Sequence, residues 1–308
     1  MNAIADIRHL APASRTQVET RFDDEYGVYW AFMNPRPRAC ISKEVLADLR
    51  SVIDSITGDA GWIAHQGERK QVRYGVIASR TPGVFNLGGD LALFRAAIQA
   101  QDRATLLQYG TRCIDVLYPW HRNCDLDMTT LALVQGDALG GGFEGALSAS
   151  VLVAEESARM GFPEVLFNLF PGMGAFSFLS RKVGRRTAER LITSGSVYAA
   201  RELYDLGVVD VITPDGTGEA AVYSYIRKHA RQGNGRRAFE RARNEVEPVT
   251  REEMHRVLEI WVDTALRLQE RDLRMMERLV RAQQRVNDDG AADGASNVVP
   301  LQVVGAGD

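Results

Sequence analysis

Short apolar runs of strand length alternate along the chain with stretches whose apolar positions recur every three or four residues. Residues 26–33 (YGVYWAFM), 72–78, 83–87, 129–134 (TTLALV) and 150–154 form the first group. Helical spacing links Val45, Leu46, Leu49, Val52 and Ile53, then Leu91, Phe94 and Ile98, and continues through residues 104–117 and 143–148. Ser42 and Asp90 stand where a side chain accepts from the free amides of a new helix. Strands alternating with helices predict an α/β fold with crossover connections and parallel pairing. From Ser177 the pattern is mostly helical. Thr250-Arg251-Glu252-Glu253 has the spacing of a capping box. It opens a helix with apolar positions at Met254, Val257, Leu258, Trp261, Ala265 and Leu268. Leu273, Met276, Leu279 and Val280 follow after a break near Arg271.

This pattern divides the chain into a loose arm (1–24), an α/β core holding the active site (25–215), a helical C-terminal region (216–286) and a tail (287–308). The tail is rich in Gly, Ala and Asp and is expected to be disordered. Its stretch 298–304 is a weak candidate for docking on a partner.

Composition narrows the function classes. The net charge is −3 and no long basic block occurs, which argues against electrostatic binding of nucleic acid. No apolar run reaches the roughly 18 residues of a membrane span. The first residues show no apolar stretch of a secretory signal, so a cytoplasmic protein is expected. Cys40, Cys113 and Cys124 form no C-x-x-C pair, and His121 with Cys124 supplies too few ligands for zinc, so no metal is expected.

Nine of the 28 glycines fall in three windows, and these carry the candidate chemistry. The first is Phe85-Asn86-Leu87-Gly88-Gly89-Asp90, a strand end, a glycine turn and a helix cap. The second is Leu139-Gly140-Gly141-Gly142-Phe143-Glu144-Gly145. It matches the dinucleotide fingerprint G-x-G-x-x-G. However, Glu144 would place a carboxylate where a pyrophosphate must sit. Bare backbone amides at a helix start suit a developing oxyanion instead. The third is Gly161-Phe162-Pro163-Glu164, followed by Phe170-Pro171-Gly172-Met173-Gly174. A glutamate among Phe162, Val165, Leu166 and Phe167 is expected to be desolvated, with its pKa raised towards the range useful for acid–base work.

In order and spacing, the three windows resemble the crotonase (enoyl-CoA hydratase/isomerase) superfamily over residues 26–285. The resemblance implies a spiral of ββα units with a helical C-terminal region. It also implies an oxyanion hole from the backbone N–H groups of Leu87 and Gly141, with Glu144 and Glu164 as the catalytic pair. Gly88, Gly140, Met173, Phe176, Trp261 and Leu279 are the candidate substrate-binding residues. Leu87 and the run Pro171-Gly172-Met173-Gly174-Ala175-Phe176 depart from an ordinary hydratase. Together with Val84–Leu91 and 275–280, they are closer to the diffusible-signal-factor (DSF) synthases.

That branch implies dehydration of a 3-hydroxyacyl thioester on acyl carrier protein to a cis-2-enoyl thioester. Hydrolysis then yields a free medium-chain quorum-sensing fatty acid. The acyl group is carried on phosphopantetheine, of carrier protein or CoA, and no cofactor of the protein's own is implied. No G-x-S-x-G elbow offers a serine thioesterase site. Arg36 and Arg38 are candidates for meeting the phosphopantetheine phosphate or an acidic carrier. The resemblance further implies that the helical C-terminal region covers the acyl pocket and mediates assembly into trimers or dimers of trimers, and that a sensor kinase receiver domain is a partner. The alternatives are a plain enoyl-CoA hydratase or isomerase, and a non-catalytic binding partner of such a receiver domain.

Overall fold

A computed structural model describes the backbone of residues 15–289 and the side chains of residues 15–281. The tail positions discussed above, from residue 290 on, lie outside the described residues. In chain order the elements are β1 (Val18–Asp23), β2 (Val28–Met33), α1 (Lys43–Thr57), β3 (Trp62–His65), β4 (Glu68–Gln71), β5 (Tyr74–Ser79) and β6 (Val84–Asn86). Next come α2 (Leu91–Gln99), α3 (Arg103–His121), β7 (Thr129–Val134), β8 (Asp137–Leu139), α4 (Gly141–Leu147), β9 (Val151–Glu155) and β10 (Arg159–Gly161). The remainder is α5 (Ala175–Val183), α6 (Arg185–Thr193), β11 (Val197–Ala199), α7 (Ala200–Asp205), β12 (Val211–Thr213), α8 (Gly218–His229), α9 (Gly233–Val246), α10 (Arg251–Ala265) and α11 (Glu270–Asp289).

Six strands form the main sheet in the order β1-β2-β5-β7-β9-β12, and β11-β10-β8-β6 form a second. Each turn of the chain gives one strand to the main sheet and the next to the second before a helix follows. β5 and β6, β7 and β8, and β9 and β10 are such pairs, so the spiral of ββα units is present. The apolar runs of β2, β5, β7 and β9 are buried at every position. Such runs suit strands covered on both faces. Ala31, Met33, Ile77, Ala132 and Val134 face α1 and α3 in one core, whereas Trp30, Phe32, Val76, Leu131 and Leu133 pack with Val222 and Ile226 of α8 in another.

The predicted caps form. Ser42 accepts from the Val45 amide, Asp90 from Leu93 and Thr250 from Glu253. The Glu253 carboxylate does not close the reciprocal half of the box but binds Ser177 and Arg181. The break between α10 and α11 falls at residues 266–269, close to its expected place. The arm needs correction. Residues 18–23 are not loose but form β1, paired antiparallel along its whole length with β2. Four of its six residues are polar and only Val18 is buried, which hid the strand in the sequence.

Candidate active site

The three windows meet because β6, β8 and β10 lie side by side and parallel, and each window continues the end of one strand. Asn86 pairs with Ala138, and Leu139 with Gly161, so the strands stop at one level. The Gly140 amide donates to the Gly161 carbonyl at 2.9 Å, and the Ile41 amide to the Gly88 carbonyl at 2.7 Å.

The first window is held from several sides. Gly88 has φ +95°, which a side chain disfavours, and a Cβ there would lie 2.9 Å from the Leu139 carbonyl oxygen. The Gly88 amide donates to Asn86 Oδ1 at 2.9 Å. The Tyr109 hydroxyl accepts from the Asp90 amide at 3.3 Å and donates to the Ile41 carbonyl at 2.6 Å. Arg38 binds both Asp90 carboxylate oxygens at 2.8 Å, so it braces this turn rather than waiting for a phosphate. Arg36 is exposed.

The expected oxyanion donor at Leu87 is overturned. Its N–H donates to the Ala39 carbonyl at 2.8 Å, within the strand-like contact that joins residues 39–41 to this loop. The backbone nitrogen that faces Gly141 is that of Gly89. A methyl placed on Gly141 would begin 3.3 Å from it. Gly89 and Gly141 also line the same cavity. The amides of a helix's first turn have no intrahelical acceptor, and Gly141 opens α4.

Gly140 has φ +51°, and a Cβ on it would collide with a carboxylate oxygen of Glu164. The Glu164 carboxyl therefore lies directly over the Gly140–Gly141 turn. Glu144, one helical turn further on, donates its amide to the Gly140 carbonyl at 3.0 Å. Its side chain is buried, and one carboxylate oxygen accepts from the amides of Met173 (2.8 Å) and Ala175 (3.0 Å). This explains the third glycine window, because the 171–175 turn aims those two amides at Glu144.

Burial pushes Glu144 up to about 7, against the two amides that favour its ionised form. Glu164 stands at the start of a 3-10 turn, Pro163–Phe167. Its residue surface is only partly covered, yet its Oε2 is fully enclosed with no hydrogen-bond partner. Burial first, and then the charge of Glu144, push it up to about 8. The expected desolvation of Glu164 is thus present. The two groups feel each other, so their titrations belong to the pair.

Both carboxyls border a cavity of about 80 Å³. At ~10–15 Å³ of such space per water, it has room for roughly half a dozen waters. Met173 and Trp261 line it, as expected. Gly172 has no Cβ where the Trp261 indole packs, which lets α10 close one wall. Most of the remaining wall comes from β2, α1 and α3, through residues such as Met33, Leu49, Cys113 and Leu117. These carry no mark of their own along the chain, because pocket-lining and core residues share one apolar spacing. Gly88, Gly140, Leu87 and Leu279 border a smaller adjoining cavity of about 60 Å³, which Glu164 also lines. Phe176 is the second correction. It sits on the outer side of α5, 40% exposed, and lines neither cavity. The three thiols are buried and unpaired. Among the described residues, no group of three or more His, Cys, Asp or Glu side chains is arranged to hold a metal ion, and no helix is long and apolar enough to cross a membrane.

Residues 29–275 match the profile of the enoyl-CoA hydratase/isomerase family. The chain belongs to that family. Mouse methylglutaconyl-CoA hydratase is 29% identical over 216 residues, covering 70% of this chain and 60% of the mouse protein. The fatty acid oxidation complex subunit alpha of Pseudomonas aeruginosa is 33% identical over 178 residues, covering 58% of this chain and 23% of that subunit. The chain therefore spans less than two thirds of these relatives. Among solved structures, Pseudomonas aeruginosa DspI superposes with a TM-score of 0.65 at 21% identity, covering 90% of this chain and 92% of that one. An enoyl-CoA hydratase from Bacillus halodurans superposes with a TM-score of 0.70 at 18% identity, covering 85% of this chain and all of that one. Both share the crotonase fold described above.

Proposed function

We propose that this enzyme dehydrates a 3-hydroxyacyl thioester to the 2-enoyl thioester and then hydrolyses it to a free cis-2-unsaturated fatty acid, as a DSF synthase. The observation that carries the reading is the pair of desolvated glutamates that line one apolar cavity together with Gly89 and Gly141. The thioester carbonyl oxygen fits between those amides and accepts from both as negative charge develops. Glu164, over the Gly140–Gly141 turn, lies beside C2. Glu144, deeper on the wall of the larger cavity, lies beside C3. In dehydration one carboxylate of the singly protonated pair takes the C2 proton, and the other, in its acid form, gives a proton to the departing C3 hydroxyl as water. In hydrolysis a glutamate takes a proton from water as it adds to the carbonyl. The same amides hold the tetrahedral oxyanion, and the thiolate leaves and is protonated. These steps use only side chains and backbone amides. The acyl group would arrive on the phosphopantetheine arm of an acyl carrier protein or CoA.

The departures at Leu87 and in the 171–176 turn favour the synthase reading, and the lining by α1 and α3 suits an unbranched or branched acyl chain rather than a short polar one. The plain hydratase reading is supported by the names of the sequence relatives, and it uses the same two carboxylates in reverse.

The pH profile tests the acid–base reading. One carboxyl must be ionised and the other protonated. With the pair pushed up to about 7 and about 8, the single-proton state is most populated between those values. Below that window both groups are protonated and no base remains; above it both are ionised and no acid remains. Dehydration kcat/KM is therefore expected to be bell-shaped, with its maximum in the window and about tenfold loss per pH unit well outside it. A rate constant that is flat from about pH 6 to about pH 9 would contradict the two-carboxylate reading.

A further inference from the structure

The cavity wall carries a donor that the mechanism above does not use. Asn86 is wholly buried at the end of β6 and lines the cavity with Glu144, Gly141 and Gly142. Its Oδ1 accepts the Gly88 amide at 2.9 Å, which fixes the orientation of the side-chain amide. Nδ2 is then the remaining group, and it is enclosed with no hydrogen-bond partner. Burying an amide donor without a partner is costly, and native structures seldom leave one so without a reason.

Several other polar side chains on this wall are committed. The Tyr109 hydroxyl bonds Ile41 and Asp90, the Ser148 hydroxyl donates to the Gly145 carbonyl, and Glu144 accepts the Met173 and Ala175 amides. The Trp120 indole N–H is also unpartnered, but its ring packs on Gly75 of β5 in the main sheet, whereas Asn86 packs on the glycine window itself. Asn86 packs against Gly142, next to the carbonyl-binding amide, and does not border the small cavity under Leu279. Asn86 thus stands on the wall of the larger cavity, which in the acyl-thioester reading takes the acyl chain. The oxygen that a 3-hydroxyacyl thioester carries on that chain is the one on C3.

We propose that Asn86 is a specificity-determining residue whose Nδ2 donates a hydrogen bond to the C3 oxygen of the substrate while its Oδ1 holds the Gly88–Gly89 turn. The Asn86 amide holds the hydroxyl oriented towards Glu144 and favours 3-oxygenated acyl groups over saturated ones. This rests on the acyl-thioester reading of the cavity.

The test measures calorimetric affinities for 3-hydroxydodecanoyl- and dodecanoyl-acyl carrier protein in the full chain carrying Glu144→Gln and Glu164→Gln, which does not turn over the ligand. Asn86→Leu should weaken the hydroxylated ligand about 5- to 10-fold more than the saturated one. Loss of the Gly88 contact alone would weaken both equally, because both carry the thioester carbonyl. Asn86→Ser, which can still accept the Gly88 amide but is too short to reach the substrate, should show the same selective loss. An unchanged ratio in both variants, with the saturated ligand still bound, would overturn the role of Asn86. Binding of neither ligand before Asn86 is changed would overturn the acyl-thioester reading itself, and this proposal with it.

Discussion

Glu164→Gln is expected to lower kcat for dehydration of a 3-hydroxydodecanoyl thioester by about 10²–10⁴, with Glu144→Gln causing a loss of the same order. Each substitution removes a proton-transfer group while keeping its shape. The Glu144→Gln amide oxygen can still accept from Met173 and Ala175, so the 171–175 turn keeps its place. Glu164 Oε2 has no protein partner to lose. Because the two groups act on one substrate in one transition state, the double variant should be little worse than either single one. Steady-state kinetics with circular dichroism as a folding control checks this. Near-normal turnover by either variant would make that carboxylate structural.

The second large effect belongs to the oxyanion hole. Gly141→Ala should reduce kcat/KM by about 10²–10³, the range found when one oxyanion donor is lost. The added methyl would begin 3.3 Å from the Gly89 nitrogen, in the gap that the thioester oxygen must occupy. Alanine is a good helix former, so α4 should persist. Leu87→Ala is the matched control. The Leu87 amide already bonds Ala39, and its side chain borders only the smaller cavity, so the loss should stay within a few-fold. Equal losses in the two variants would contradict the placing of the oxyanion between the Gly89 and Gly141 amides.

That two-residue displacement shows how far the sequence could be read. The windows and the two glutamates were legible because glycine runs and a glutamate in an apolar stretch each have a physical meaning of their own. Which amide in 87–89 faces the cavity was not, because Gly88 at φ +95° breaks the alternation of an extended chain between Leu87 and Gly89. Phe176 failed similarly. Its place beside the 171–175 turn is visible in the sequence, but the face of α5 it occupies depends on how α5 packs against α4 and α6. The long buried strands and the caps at Ser42, Asp90 and Thr250 were readable from local chemistry. β8 and β10, at three residues each, are too short to show periodicity, yet their parallel pairing is what brings the site together.

The central claim is that one site performs both dehydration and thioester hydrolysis. Incubation of the purified protein with 3-hydroxydodecanoyl-acyl carrier protein, followed by mass spectrometry and chromatography against cis and trans standards, tests it most directly. The account predicts free cis-2-dodecenoic acid, absent with Glu144→Gln or Glu164→Gln. Carrier-bound trans-2-enoyl product alone, with no free acid, would contradict it.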